Sequence, residues 1–288
     1  MAGPAGFTGK AALITGGSGG IGLRVAEQLA EGGAHVFING RSAERGERAA
    51  VKLREISQDV RFIAGDCASY QDVAAVVETA RSQAGRLDIL VSAGAEGETG
   101  ATPFAEMTPQ QIEGEFRKRL LPRIFPVHAA LPALRENGGS VILLTTDAGR
   151  YATPGESVLG AVGASVIIMT KVLAKEFGRY KIRVNSIAMA LTEGTPTWDR
   201  LVAGEGFQRD LFTKVVERFP FGRAPSADEV AAVAVFLASD AAAQVTGQTI
   251  SVNGGLSFGA GIRASRTPAP APAPGRLDDY RTSGIMPG

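Results

Sequence analysis

Short apolar runs rich in Val, Ile and Leu recur along this chain at residues 11–15, 35–39, 60–64, 87–92, 140–145, 183–188 and 249–252. They are apolar on both faces, which is the pattern of parallel strands covered from both sides. Between them, residues 21–30, 72–84, 112–135, 158–177 and 228–238 place apolar side chains at helical spacing. Strand–helix alternation of this kind predicts an α/β fold: a single Rossmann-type doubly wound domain, with a seven-stranded parallel sheet and helices on both faces. Ligands of such folds bind beyond the carboxyl ends of the strands, where the strand order reverses.

Residues 189–225 break the rhythm. They carry Trp198, Phe207, Phe212, Phe219 and Phe221 without a clear strand, and are expected to form a lid over the site. Those aromatics serve either packing or a substrate. The domain is expected to span residues 1–262. After it, residues 263–288 form a tail in which Pro and Ala alternate from Thr267 to Pro274. That stretch favours polyproline II and would span roughly 25 Å. The tail is expected to be a linker and disordered end; docking onto a neighbouring subunit is the alternative.

Charge changes the picture only by exclusion. Lys plus Arg number 30 against 29 Asp plus Glu, so no global field favours nucleic acid or an anionic membrane. No run is expected to reach bilayer-spanning length, and residues 1–10 lack a secretory signal. The single cysteine, Cys67, excludes an intrachain disulfide. A cytoplasmic protein is expected. No metal site is expected either.

The first strand leads directly into Gly16-Gly17-Ser18-Gly19-Gly20-Ile21-Gly22 and then a helix. Glycines there permit a tight turn and let backbone N–H groups approach a pyrophosphate at the helix N-terminus, where the dipole favours anions. The spacing of Gly16, Gly20 and Gly22 after Thr15 resembles the fingerprint of the short-chain dehydrogenase/reductase family, classical type. More of that pattern follows in order: Asp66-Cys67 after the third strand, at the adenine contact, and Ser92-Ala93-Gly94 where the family has Asn-Ala-Gly. Arg183 to Ile187, Arg223-Ala224-Pro225, Thr246-Gly247-Gln248 and Gly254-Gly255 continue it. The resemblance covers roughly residues 8–259. It implies cofactor contacts from Gly16, Ser18, Gly20, Ile21, Gly22, Asp66, Cys67, Ser92, Ala93 and Gly94. At the end of the second strand a carboxylate would bind the ribose of NAD, whereas an arginine pairs with the 2′-phosphate of NADP. Gly40 stands at the carboxylate position and Arg41 follows, with Ser18 available, so NADP(H) is expected over NAD(H).

The chemical half departs from the family. There an Asn, a Ser, a Tyr and a Lys run the proton relay, and the aligned positions here are Arg119, Thr146, Leu159 and Gly163. Thr146 keeps a hydroxyl, but Leu159 cannot transfer a proton and Gly163 carries no charge. Such acid–base help is worth about 10² to 10⁴ in rate, so ordinary carbonyl reduction should be severely impaired. The candidate catalytic residues are Thr146, Arg119, Tyr151 and Asp147. Arg119 would replace the lost positive charge or hold an anionic substrate. Gly160, Ala161, Gly163, Ala164 and Ser165 form a small-residue face that permits close approach of another helix, and the family resemblance implies a homodimer or homotetramer. Met189-Ala190 also replaces the family's Pro-Gly.

Three readings follow. The first is a divergent NADP(H)-dependent oxidoreductase, for example one reducing an activated alkene or ketone. The second is a catalytically silent subunit of a mixed oligomer with an active relative. The third is a non-redox cyclase, isomerase or dehydratase using Asp147, Glu156, Arg119 and Tyr151. Each of them takes a small-molecule substrate that the residues leave unidentified.

Overall fold

The computed structural model describes residues 6–95, 101–203 and 213–258. In chain order the elements are β1 (Ala11–Thr15), α1 (Gly20–Glu31), β2 (His35–Gly40), α2 (Ala43–Arg54), β3 (Val60–Ala64) and α3 (Tyr70–Ala84). There follow β4 (Ile89–Ser92), α4 (Pro109–Arg119), α5 (Leu121–Asn137), β5 (Gly139–Thr146), α6 (Ser157–Phe177) and β6 (Ile182–Met189). The described part ends with α7 (Pro196–Ala203), α8 (Ala227–Ala238) and β7 (Thr249–Val252). The seven strands form one parallel sheet in the order β3-β2-β1-β4-β5-β6-β7, as the sequence pattern predicts. The order reverses between β1 and β4, and the crevice at their carboxyl ends is where this architecture binds ligands.

Side chains on one strand alternate between two cores. Ile14, Ile38 and Val91 pack under Val25 and Leu29 of α1, Leu53 of α2 and Val230 of α8. Leu13, Leu90 and Leu143 pack under Val73 and Val77 of α3, Leu134 of α5 and Val166 of α6. Period-two alternation sends neighbours to opposite faces, so both faces of the central strands must be apolar. The helix α2 carries a thinner stripe, with Gly46, Ala49, Ala50 and Leu53 buried, and has no counterpart among the predicted helices.

Two expectations change. The helix predicted over 112–135 is two helices, because Pro122 has no N–H for the Lys118 carbonyl and its ring crowds that carbonyl. The helix α4 therefore ends at Arg119, and α5 restarts with Pro122 in its first turn. The expectation of no bilayer-length run also fails. The stretch Ser157–Tyr180, 24 residues of mean hydropathy 1.9, is long and apolar enough by length and composition. Its inward positions, among them Val162, Val166, Ala174 and Phe177, cover the sheet, so it is a core helix of the fold. Of the lid, α7 is described, Phe219 is buried and Phe221 exposed, whereas Phe207 and Phe212 lie outside the described residues, as does the tail.

Candidate functional site

The turn after β1 brings backbone against backbone. Gly16 has φ +70°, and a Cβ there would lie 2.6 Å from the Cα of Gly94 at the end of β4. A Cβ at Gly22 would lie 2.5 Å from the Gly16 carbonyl oxygen, so α1 can start against the turn only without side chains. The Ala93 amide donates to the Thr15 carbonyl (3.1 Å), which holds the β4 end beside the glycine turn. The result is a shallow backbone cradle at the N-terminus of α1, facing the switch point between β1 and β4. Extended anions such as a pyrophosphate fit this surface through backbone N–H groups and the helix dipole. Pro196, at the start of α7, approaches Gly20 from above: a Cβ on Gly20 would be 3.3 Å from its Cδ. The start of α7 thus packs against the cradle.

The cradle's flank is shaped by Ser18, Gly40 and Arg41. A Cβ at Gly40 would sit 2.8 Å from the Ser18 hydroxyl, so Ser18 fills the space that a side chain at position 40 would need. Arg41 is exposed beside it. Asn39, fully buried, donates through Nδ2 to the carbonyls of Ile63 and Gly65, 3.1 Å each, tying β2 to the end of β3. Asp66 accepts the Ala68 amide (2.9 Å), which shapes the loop after β3. Cys67 donates through Sγ to the Gly94 carbonyl at 3.7 Å. Burial, with the Asp66 carboxylate adding to it, pushes the Cys67 thiol up to about 11, so it packs as a neutral, unreactive group. Of the expected cofactor contacts, Ser92 turns away. Its buried hydroxyl donates to the Pro122 carbonyl (3.2 Å) and, more weakly, to that of Arg123 (3.4 Å). The cause lies in α5: Pro126 has no N–H to give to the Pro122 carbonyl, so Ser92 supplies the donor.

The substrate end is built on the carboxyl end of β5. Thr146 is half-buried, and its Oγ1 accepts the Ala148 amide (3.2 Å), leaving its O–H as a donor. The turn Asp147–Gly149 rests directly on the backbone of α6. A Cβ at Gly160 would meet the Ala148 carbonyl at 2.8 Å, and one at Gly163 the Thr146 methyl at 2.7 Å and the Gly149 nitrogen at 3.0 Å. The two glycines of the small-residue face therefore serve this internal contact, while Ala161 and Ala164 stay exposed. Leu159 is half-buried beside them.

Asp147 is held in a hydrogen-bonded scaffold. It is buried and accepts from Ser251 (2.7 Å) and from Asn253 (2.5 Å), while Arg150 donates to Ser251 (3.0 Å) and to the Thr249 carbonyl. These bonds fasten the turn after β5 to the edge strand β7. Tyr151 is half-buried, with its amide on the Asp147 carbonyl (3.0 Å). Arg119 donates to the buried Glu115 carboxylate one turn back. Its positive charge also reaches Glu156, whose carboxyl burial raises above the ordinary carboxylate range while Arg119 pulls the other way.

One residue of this region escapes the sequence pattern. The Arg123 guanidinium donates through Nε to the Leu144 carbonyl of β5 and through Nη1 to the Arg119 carbonyl. That last carbonyl is freed by the helix break, since the Arg123 amide bonds Leu120 instead (3.0 Å). Burial, reinforced by the nearby Arg119 charge, brings Arg123 down to about 10. An arginine inside the apolar stretch Leu120–Leu131 is the signal that marks it. No group of three or more metal-ligating side chains occurs among the described residues.

Comparison with known proteins agrees with this geometry. A family model described as Enoyl-(Acyl carrier protein) reductase matches residues 16–257. The chain is 31% identical over 251 residues to the 3-oxoacyl-(acyl-carrier-protein) reductase FabG of Chlamydia trachomatis, covering 86% of this chain and 97% of that protein. It is 32% identical over 265 residues to the L-fucose dehydrogenase of Mus musculus, covering 91% of this chain and 93% of that one. Among solved structures, a short-chain type dehydrogenase/reductase from Mycobacterium ulcerans superposes with a TM-score of 0.81 at 26% identity. The match covers 88% of this chain and 91% of that one.

Proposed function

The chain belongs to the short-chain dehydrogenase/reductase family of oxidoreductases, whose cofactor is NAD(H) or NADP(H), and from that membership we propose an NADP(H)-dependent reductase of conjugated acceptors. The observation that carries the reading is the seat of the turn Asp147–Gly149 on Gly160 and Gly163. Backbone occupies the space that a lysine at 163 would need, and Leu159 offers no proton. A reaction that needs a protein acid at that place is therefore disfavoured. Reduction of an alkene conjugated with a carbonyl asks less: negative charge gathers on the carbonyl oxygen, and hydrogen bonds and positive charge stabilise it. The Thr146 hydroxyl donates to that oxygen, Arg119 supplies the positive field, and water delivers the proton to the adjacent carbon. NADPH, when bound, supplies the hydride. The description of the matching family, an enoyl reductase, names a substrate of this type.

The preference for NADP(H) rests on Ser18 filling the space beside Gly40 and on the exposed Arg41 that follows. Charge-assisted bonds to a 2′-phosphate are worth roughly tenfold to a hundredfold in affinity. Calorimetric titration should therefore show NADPH binding at least about tenfold tighter than NADH. Arg41→Ala should erase the difference. Equal affinities in the unaltered protein would sink the assignment. With NADPH present, an enoyl thioester should be turned over and the corresponding ketone should not; efficient ketone reduction would refute the reading of Leu159 and Gly163.

A second reading has its own observation. The outward side of α6 shows Ile168 at 58% and Val172 at 47% exposure, with Phe116 of α4 also exposed. This surface fits a partner subunit, either a second copy or an active relative. Turnover that appears only on mixing with such a relative would favour the silent-subunit role.

A further inference from the structure

We propose that the pocket is built for a substrate bearing a carboxylate, received by Arg123 together with Arg119. This deepens the reductase reading and rests on it for the placement of the substrate. Arg123 lies among the carboxyl ends of three neighbouring segments. It bonds the Leu144 carbonyl of β5, its own carbonyl receives the Ser92 hydroxyl of β4, and its charge acts on Cys67 after β3. That is the crevice in which doubly wound folds bind their ligands.

Two of its guanidinium nitrogens are spent on carbonyls, Nε on Leu144 and Nη1 on Arg119. Among the described residues Nη2 has no hydrogen-bond partner, and it is not sealed from solvent. No carboxylate of the described residues pairs with this arginine either, and the charge felt most strongly beside it is the like charge of Arg119. A largely desolvated cation next to another cation is costly unless an anion arrives. Neither of the two bonds to carbonyls neutralises it. They instead fix the guanidinium plane, leaving one edge open, and a planar carboxylate matches that edge. Arg119 adds its charge one turn back, on the other side of the helix break. Its partner Glu115 is permanent packing, whereas Glu156 is held toward its neutral form.

The test uses trans-cinnamate and its neutral isostere trans-cinnamamide as probes, titrated calorimetrically into the full-length protein with and without saturating NADPH. Cinnamate should bind at least about tenfold more tightly than the amide, with an affinity that weakens as salt rises. Arg123→Met should remove the preference, whereas Glu156→Gln, at a carboxyl that burial already holds toward its neutral form, should leave it in place. Thermal unfolding of each variant identifies loss of fold; if Arg123→Met does not fold, Arg123→Lys, which keeps the charge but loses the planar fork, decides by weakening the preference. Equal binding of acid and amide overturns the proposal. So does a fall in NADPH affinity in Arg123→Met with cinnamate binding unchanged, which would assign the guanidinium to the cofactor. Failure of NADPH to bind the unaltered protein refutes the reductase reading separately, because the probes are also titrated without it.

Discussion

At Gly163 a single hydrogen atom in place of a side chain lets the turn after β5 sit on α6. Gly163→Ala would gain up to about 1 kcal/mol of helix propensity, yet its Cβ would lie 2.7 Å from the Thr146 methyl. Overpacking of this kind costs about 1–3 kcal/mol, so urea unfolding should show a net loss. Gly178→Ala, at a site with φ −54° and nothing within 4 Å, should be neutral or stabilising by up to about 1 kcal/mol. If both glycines tolerate alanine equally, the seat is softer than its geometry. Placing a tyrosine and a lysine there through Leu159→Tyr and Gly163→Lys should likewise disrupt the turn rather than produce ketone reduction. Glu156 makes a separate residue-scale claim. Its carboxyl is raised in the folded state by burial, so the native chain holds this proton more tightly than the unfolded chain does. Stability from this group is therefore greatest below its ordinary value of 4.5 and declines as pH rises through the raised folded value. Glu156→Gln should flatten that decline in pH-dependent chemical denaturation; an unchanged profile would show that the carboxyl is solvated. That Leu159 and Gly163 stand where the family has its Tyr and Lys is our proposal from the sequence, in which the helix aligns with the family pattern without a gap. Which groups face the pocket was not readable there. Asp147 reads as a loop acid until Ser251 and Asn253, more than a hundred residues later, are seen to hold it.

Elements here begin and end where local chemistry dictates, and the caps can be tested one at a time. The helix α8 opens with a reciprocal capping box. The Ser226 hydroxyl accepts the Glu229 amide (3.2 Å) and the Glu229 carboxylate accepts the Ser226 amide (2.8 Å), with Arg223 bonded to the same carboxylate. Ser226→Ala should cost roughly 1 kcal/mol. The Arg223 guanidinium, followed by the Ser226 amide, holds Glu229 down to about 2. A carboxyl depressed in the folded state contributes stability above its ordinary value of 4.5 and loses it as pH falls toward about 2. Glu229→Gln should therefore shallow the acid limb of the stability profile; a variant that tracks the unaltered protein would show the contact to be solvent-screened. The strands β1, β2, β4 and β5 were legible because each carries buried apolar residues on both faces, whereas the edge strands β3 and β7 interleave apolar residues with Arg61 and with Thr249 and Ser251. The break between α4 and α5 was not legible, because the apolar spacing runs on through Leu120 and Leu121 while Pro122 removes a backbone donor. Hydrophobic period carries the layers of the fold, but it is blind to a missing N–H. Ser92 and Arg123 are the side chains that satisfy carbonyls around this break, so the break and the polar lining of the site have one origin.

For the whole molecule, the unbalanced element is α6. From Ser157 to Thr170 the helix carries no charge on any side, as a helix does in the interior of a larger structure, yet only 33% of the most apolar window of Ser157–Tyr180 is buried within the chain. Its inner side covers the sheet; its outer side leaves Ile168 and Val172 in water, and α4, which packs against α6, leaves Phe116 exposed as well. The sheet accounts for one half of this hydropathy, and a second subunit would account for the other. A stable interface buries about 1,600 Å² in total, so a partner would have to cover both helices. Light scattering on a sizing column should then show a dimer or tetramer of the unaltered chain. Ile168→Lys combined with Val172→Glu, both outside the nucleotide cradle, should shift it to monomer while leaving NADPH affinity in place. A monomeric unaltered protein would leave the apolar face for a different, related subunit, and mixing it with an active family member on the same column would then show a heteromeric peak. If it stays monomeric in both runs, α6 is covered by neither, and the oligomeric reading fails at the one surface that supports it.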